Sequence, residues 1–414
     1  MKSGCGSDVP AHPRKQLMLA TFLEGKPTDG GGYVHKVGAL RVLSAMQGPE
    51  LSVVVICADA QALAAAEAIG LRGVIFRRRG WRRLLGAVSA TEFMRVRFGK
   101  SLAPALSPLD RLLSRLKVDL AYFPNPDHRA LQLLSHGYVF SILDLTHIEH
   151  PEFPEVAMYG EFERREKVFS QATRRAVAVI VDSEPTRRFI AEQYRVPVTR
   201  VFAAPFLISA STCGFKPDPT VASEIRRRYN LADPYIFYPA QFWLHKNHKY
   251  ILEAISLLRE RDGWAPQAVF CGSDKGALKS VLARATELGV NHLVRYCGFV
   301  PDADIPYLYA GAMALVMPTY CGPNNIPPVE AQSFGIPVCY SDFPAFREQM
   351  GNSVLYIDLE DPASLANVLG QLRRAGGNVR QESHAGDNDQ HERAQITYRR
   401  VLEGVIEKFR RKVF

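Results

Sequence analysis

The sequence predicts an α/β protein built from two doubly wound, Rossmann-like domains facing across a cleft. Three observations lead there. Short apolar runs of strand length alternate with segments of helical periodicity in two successive series. Between the series, over 204–219, periodicity fails and Ser, Gly and Pro accumulate. With 414 residues the chain is long enough for two full cores. The expected boundaries are an N-terminal domain over 14–206, a linker over 207–220 and a C-terminal domain over 221–391. The last helix, 392–414, returns to complete the first domain.

The first series opens with a strand over 16–22, a Gly-rich turn at Thr28-Asp29-Gly30-Gly31-Gly32, and a helix over 33–46 with Val34, Val37, Leu40 and Leu43 at helical spacing. The dinucleotide fingerprint GxGxxG is absent, but adjacent glycines let a backbone approach a ligand closely. Further strands are expected over 51–57, 118–123, 138–143 and 176–181. Two of their ends are polar. Asp144-Leu145-Thr146-His147 follows one; Asp182-Ser183-Glu184 follows the other and reads as the cap of a helix reaching Gln193. Ligands of open parallel sheets gather beyond the carboxyl ends of the strands, which singles out His147.

The second series has strands over 235–238, 268–271, 293–296, 312–317, 338–340 and 354–356. Helices are expected from about Asn247, Asp274 and Asp304, and over 345–350 and 362–373. A loop over 375–391 precedes the final helix, 392–409. Between the fourth of these strands and the next helix lies Cys321-Gly322-Pro323-Asn324-Asn325. Asn325 reads as the N-cap, Pro327 and Pro328 fall in the first turn, and Gly335 and Pro337 stop the helix. A strand turning into a helix N-terminus suits an anion, and one carboxylate, Glu330, stands just inside it. Lys246 sits at another helix start, beside Asn247, where a cation and backbone N–H groups suit a diphosphate.

Composition narrows the classes. Hydrophobic content of 47% and charged content of 22% are ordinary globular values. No apolar run approaches the roughly 18 residues that span a bilayer. The N-terminal Gly-, Ser- and Pro-rich residues do not read as a signal peptide. Seven cysteines without CxxC spacing point to a reducing cytosol, not to a zinc site. The net charge of +9 is concentrated between Arg72 and Lys117, where twelve Lys or Arg face only Glu92 and Asp110. With Trp81, Leu84, Leu85, Val88 and Phe93 interleaved, this basic window 72–117 fits an anionic membrane surface better than nucleic acid; a solvated basic face is the plainer alternative.

Several elements of the second half, taken in order, resemble the retaining, nucleotide-sugar-dependent glycosyltransferases of family 4, also called group 1, which have the GT-B fold. They are Tyr238-Pro239-Ala240-Gln241 through Lys246-Asn247-His248, Cys271-Gly272-Ser273, Gly298-Phe299-Val300-Pro301 through Leu308-Tyr309-Ala310, and Pro318 to Pro337. The resemblance covers about 235–370. It is weaker in the first half, where it rests on Gly30-Gly31-Gly32, 144–154 and Val181-Asp182-Ser183-Glu184.

The resemblance implies the following roles. Glu330 would hold the nucleotide ribose hydroxyls and Lys246 would neutralise the departing diphosphate. Backbone groups of Gly272 and Val300 would face the base; Asn324, Asn325 and Ile326 would lie beside phosphate and sugar. Gly31 and Gly32 would approach the donor, and His147 would lie near the transferred sugar. Two departures stand out. The family's first Glu falls at Gly322, eight positions before Glu330, and its Arg falls at Gln241. Asp302-Ala303-Asp304 matches the DxD pattern of metal-dependent glycosyltransferases, but its setting is that of a helix cap, and no metal is expected.

The implied reaction moves a sugar from a nucleoside-diphosphate donor to a glycan or lipid-linked acceptor hydroxyl with retention. It would belong to bacterial-type surface-polysaccharide synthesis in the cytoplasm, at the inner face of the membrane. No cofactor beyond the nucleotide sugar and no nucleic-acid partner is expected. Gly322 and Gln241 leave open an inactive GT-B scaffold that binds a nucleotide or partner; a nucleotide-sugar epimerase is a third reading.

Overall fold

A computed structural model of the chain describes residues 16–26, 30–76, 107–207, 215–322, 325–376 and 387–412. Most of the basic window, 77–106, and Asn324 lie outside the described residues.

Seven strands form the first parallel-strand sheet: β1 (Leu17–Leu23), β2 (Leu51–Cys57), β3 (Arg72–Ile75), β4 (Leu120–Phe123), β5 (Gly137–Ser141), β6 (Ala178–Val181) and β7 (Val201–Ala203), in the order β3-β2-β1-β4-β5-β6-β7. Six form the second: β8 (Tyr235–Pro239), β9 (Gln267–Cys271), β10 (Val294–Tyr296), β11 (Ala314–Met317), β12 (Val338–Ser341) and β13 (Leu355–Ile357), in the order β10-β9-β8-β11-β12-β13. Helices alternate with the strands throughout. This is the expected pair of doubly wound parallel sheets.

The described residues group into two compact units. The first takes in those of 1–24, 40–123 and 129–139; the second takes in those of 25–39, 124–128 and 140–414. In the first, β1 runs in register with β2 from Leu17 against Leu51 to Leu23 against Cys57. Both strands are buried along nearly their whole length, because helices cover both faces of a parallel sheet. Phe22 stacks on Phe123 with ring centroids 4.3 Å apart, tying β1 to β4.

In the second unit, the order of strands β8 to β13 explains where ligands can gather. The chain winds outward from β8 to β9 and β10, then returns to place β11 on the other side of β8. Winding reverses between β8 and β11, so the segments leaving their carboxyl ends diverge around a crevice. One begins with 240–247 and the other with 318–322. Beneath them, Phe237, Phe270, Leu315, Val338 and Tyr340 are fully buried.

Local structure departs from sequence expectation in a few places. Gly31 and Gly32 are the first residues of the helix Gly31–Met46, not part of the turn before it. Asn247 and Asn325 occupy N-cap positions, but neither side chain caps its helix. Asn247 is left-handed, with φ 54°, and the Asn325 amide is engaged elsewhere. Ser183 does cap its helix, accepting from the Thr186 N–H at 3.3 Å. Strands β3 and β7 were not expected. They are four and three residues long at the two edges of their sheet, where partial exposure removes the apolar run that marks a buried strand. Among the described residues no helix is long and apolar enough to cross a membrane.

Candidate active site

The carboxyl ends of β8 and β11 open into a pocket of about 500 Å³, all of whose lining residues belong to the second unit. From β8 the chain passes through Ala240-Gln241-Phe242-Trp243 into a turn of 3-10 helix, Leu244–Lys246, before the helix His248–Asp262. The left-handed Asn247 makes that abrupt change of direction possible. Lys246 is thereby set beside the segment leaving β11: its Nζ donates to Thr319 Oγ1 at 3.3 Å and to Asn325 Oδ1 at 3.5 Å. Burial pulls the Lys246 ammonium below the usual lysine range.

Glu330 lies in the helix Ile326–Ser333 and is buried. Its Oε2 accepts from the Tyr309 hydroxyl at 2.9 Å, and Tyr309 stacks on Phe334 with centroids 5.2 Å apart. The carboxylate is thus oriented from behind by a fully buried ring. Gly272, after β9, has φ +142°, and a Cβ there would meet Gln241 N at 2.9 Å and press closer still on the Ala240 carbonyl. Only glycine lets the β8 and β9 turns pack this closely. The Gly272 N–H donates to the Gly298 carbonyl at 2.8 Å, which ties in the turn carrying Phe299 and Val300.

Other lining residues come from earlier in the chain. Gly31 approaches Ile326, a Cβ built on it lying 3.6 Å from Ile326 Cδ1, and Gly30 lies against the Gln241 amide. The Gln241 Oε1 accepts from the Trp243 indole N–H at 3.0 Å. Asp144 accepts from the Thr146 N–H at 3.1 Å and from Arg165 Nη1 at 3.1 Å. Burial alone would raise the Asp144 carboxyl; the Arg165 guanidinium and the Thr146 hydrogen bonds outweigh it and hold the group below the usual carboxylate range. Glu155 accepts from both the backbone N–H and Nδ1 of His245, at 3.1 and 2.8 Å. Burial holds the His245 imidazole below its ordinary range, and because the Glu155 carboxylate only accepts, Nδ1 is the nitrogen that carries a proton toward it.

The pocket brings together Lys246, Glu330, Gln241, Asn325, Ile326, Gly272, Val300, Gly31 and Gly32. His147 is not on it. That ring is fully buried, 5.6 and 5.0 Å from the centroids of Phe162 and Phe169, with Nε2 3.5 Å from Glu166 Oε2. Its neighbours Asp144 and Thr146 face the pocket instead. Sequence reasoning passed over Asp144, Arg165, Glu155, His245 and Trp243. Asp144 carried the same strand-end signal as His147; Arg165 reaches the site from a helix whose local sequence gives no hint of it. Of the DxD pair, Asp302 lines the pocket, whereas Asp304 is held by Arg228 Nη1 at 2.9 Å and the Tyr229 hydroxyl at 2.7 Å.

The family described as "Glycosyl transferases group 1" matches residues 222–381. The group 1 segment contains β8 to β13 and supplies Gln241, Lys246, Gly272, Val300, Asn325, Ile326 and Glu330 to the pocket. The chain is 28% identical over 211 residues to an O-antigen chain mannosyltransferase B of Escherichia coli, covering 50% of this chain and 55% of that protein. It is 27% identical over 223 residues to a D-inositol 3-phosphate glycosyltransferase of Corynebacterium jeikeium, covering 51% and 52%. The matches therefore span about half the length of these relatives. Anabaena HepE, solved with UDP and glucose, superposes with a TM-score of 0.69 at 16% identity, covering 95% of this chain and 100% of that one. The likeness establishes a shared GT-B fold.

Proposed function

We propose that the chain is a glycosyltransferase that takes a sugar from a nucleoside-diphosphate donor and transfers it to an acceptor hydroxyl. The observation that carries this reading is that one pocket holds a buried, Tyr309-oriented carboxylate, Glu330, together with the Lys246 ammonium. Glu330 accepts hydrogen bonds from the ribose hydroxyls. Lys246 and the N–H groups at the start of the helix Ile326–Ser333 meet the diphosphate, whose charge grows as the glycosidic bond breaks. Backbone of Gly272 and Val300 faces the base, and Gly31 and Gly32 close on the donor from residues 25–39. In this reading 221–391 is the donor-binding domain and 14–206 the acceptor-side domain, completed by 392–414.

The finer features of the reaction extend the same reading. Transfer proceeds with retention, the departing phosphate taking the acceptor proton from the same face. No metal is required: Asp304 is committed to Arg228 and Tyr229, and Lys246 supplies positive charge at the diphosphate. The likeness to an O-antigen mannosyltransferase supports a glycan or lipid-linked acceptor in surface-polysaccharide synthesis, at a membrane face reached through the basic window. His147, walled off by Phe162 and Phe169, acts through the fold of the 144–147 turn and not by touching the sugar.

A panel of UDP, GDP, ADP and dTDP sugars in thermal denaturation, with and without EDTA, tests the proposal. A bound donor at about 100 times its Kd adds roughly 2.7 kcal/mol. At least one donor should raise the transition by that amount, with EDTA making no difference. No shift with any of them removes the reading, and a shift abolished by EDTA removes metal independence.

A further inference from the structure

Asn325 precedes the helix Ile326–Ser333 and is 8% exposed. Its Nδ2 donates to the carbonyls of Gly322 and, at 3.4 Å, Cys321, and to the Tyr340 hydroxyl at 2.7 Å. Carbonyls only accept, so the nitrogen must face them, and Oδ1 is the atom turned toward Lys246 Nζ at 3.5 Å. The Tyr340 hydroxyl donates in turn to Gln349 Oε1 at 3.1 Å, and Gln349 Nε2 donates back to the Asn325 backbone carbonyl at 2.6 Å. Asn325 is therefore clamped through both its amide and its main chain. Neither Tyr340 nor Gln349 lines the pocket.

We infer that Gln349 and Tyr340 are positioning residues for Lys246, acting through the carboxamide of Asn325; the inference rests on the assignment of Lys246 to the donor diphosphate. Gly322 makes the arrangement exclusive. Its φ is +98°, and a Cβ built on it falls 2.6 Å from Asn325 Oδ1. A side chain at 322 and the observed Asn325 cannot coexist. The partner that this turn offers Lys246 is then a neutral carbonyl oxygen and not a carboxylate. A carboxylate would pair with the ammonium and compete with phosphate for it. The clamped amide aims the ammonium and leaves its full charge for the donor.

A merely structural role for Gln349 and Tyr340 would lower the melting temperature and leave the pH dependence of nucleotide binding untouched. The experiment uses UDP and GDP as probes, titrated calorimetrically into the full chain between pH 7 and 10. The proteins are wild type, Gln349→Leu, Tyr340→Phe and Asn325→Asp. Wild-type binding should weaken as Lys246 loses its proton. Gln349→Leu and Tyr340→Phe should bind roughly three- to tenfold more weakly at pH 7, having lost the aim of one charge-assisted hydrogen bond. They should also lose affinity at a lower pH than wild type, because a misplaced carbonyl stabilises the ammonium less. Asn325→Asp should move that midpoint the opposite way, upward, while weakening binding at pH 7. Tyr340→Phe keeps the ring stacked on Phe346 at 4.4 Å and so reads the relay even where Gln349→Leu unfolds. Wild-type affinity and midpoint in both Gln349→Leu and Tyr340→Phe would overturn the inference. Failure of the wild type to bind either nucleotide would overturn the donor-site reading itself, and the relay with it.

Discussion

The Tyr309 hydroxyl donates to Glu330 Oε2 at 2.9 Å, with both groups buried. This bond converts a helix carboxylate into a fixed acceptor, because a fully buried ring stacked on Phe334 cannot follow the carboxylate if it rotates. Tyr309→Phe keeps the packing and removes only the hydroxyl. It should weaken nucleoside-diphosphate binding about three- to tenfold and cost about 1 kcal/mol of stability. Calorimetric titration and urea unfolding of the same variant separate the two effects.

Restoring a carboxylate at the position where the family has its first Glu should not help. Gly322→Glu requires a side chain at φ +98° in space held by Asn325. The variant should lose about 1–3 kcal/mol of stability and bind nucleotide more weakly than wild type. A gain in donor affinity would show that the Asn325 amide moves aside readily.

Gly272 sets how closely the turns after β8 and β9 pack. Gly272→Ala drives its methyl into the Ala240 carbonyl in a conformation that L residues rarely adopt. It should destabilise by at least about 1–3 kcal/mol and abolish nucleotide binding, as read by urea unfolding and titration.

A fourth expectation concerns pH. Burial pulls His35 down to about 4 from an ordinary 6.5. Its Nδ1 accepts the Leu207 N–H at 3.4 Å, which leaves the proton on Nε2, directed at the Tyr398 hydroxyl 3.3 Å away. Between pH 6.5 and 4 the unfolded chain binds a proton that the folded chain refuses. Stability contributed by neutral His35 is therefore full above pH 6.5 and falls with acid, by as much as about 3 kcal/mol at pH 4. His35→Gln, which keeps an acceptor for Leu207, should flatten this part of the stability profile. An unchanged slope in urea unfolding from pH 7 to 4 would contradict the account.

Much of the second sheet was legible because its strands are continuous apolar runs. The runs that became β8, β9, β11 and β12 are buried on both faces, and the turns leaving β8, β9 and β11 meet at the pocket. The edges were less legible. β3 begins at the exposed Arg72, and β7 has only Val201 buried. The turns that carry Lys246 and Glu330 stand out in the sequence, and the structure brings both residues to one pocket. The position of His147 off the pocket was not legible, because a one-turn helix decides its orientation. Thr146–Glu149 turns His147 inward and leaves Asp144 and Thr146 on the pocket, a choice made by Phe162, Phe169 and Arg165 from a helix further along the chain. The asparagines at 247 and 325 misled for a related reason. Each stands where a cap belongs, but Asn247 serves through its left-handed backbone and Asn325 through Lys246 and Tyr340.

The central claim is that Lys246 meets the diphosphate of a nucleotide held by Glu330. Its most direct test is calorimetric titration of UDP, GDP and the corresponding nucleosides into wild type and Lys246→Ala. Removing one charge-assisted contact of about 1.5–3 kcal/mol should weaken the preferred diphosphate roughly 10- to 100-fold and leave its nucleoside unaffected. Equal affinity of Lys246→Ala and wild type for that diphosphate, or binding of neither nucleotide by the wild type, would contradict the account.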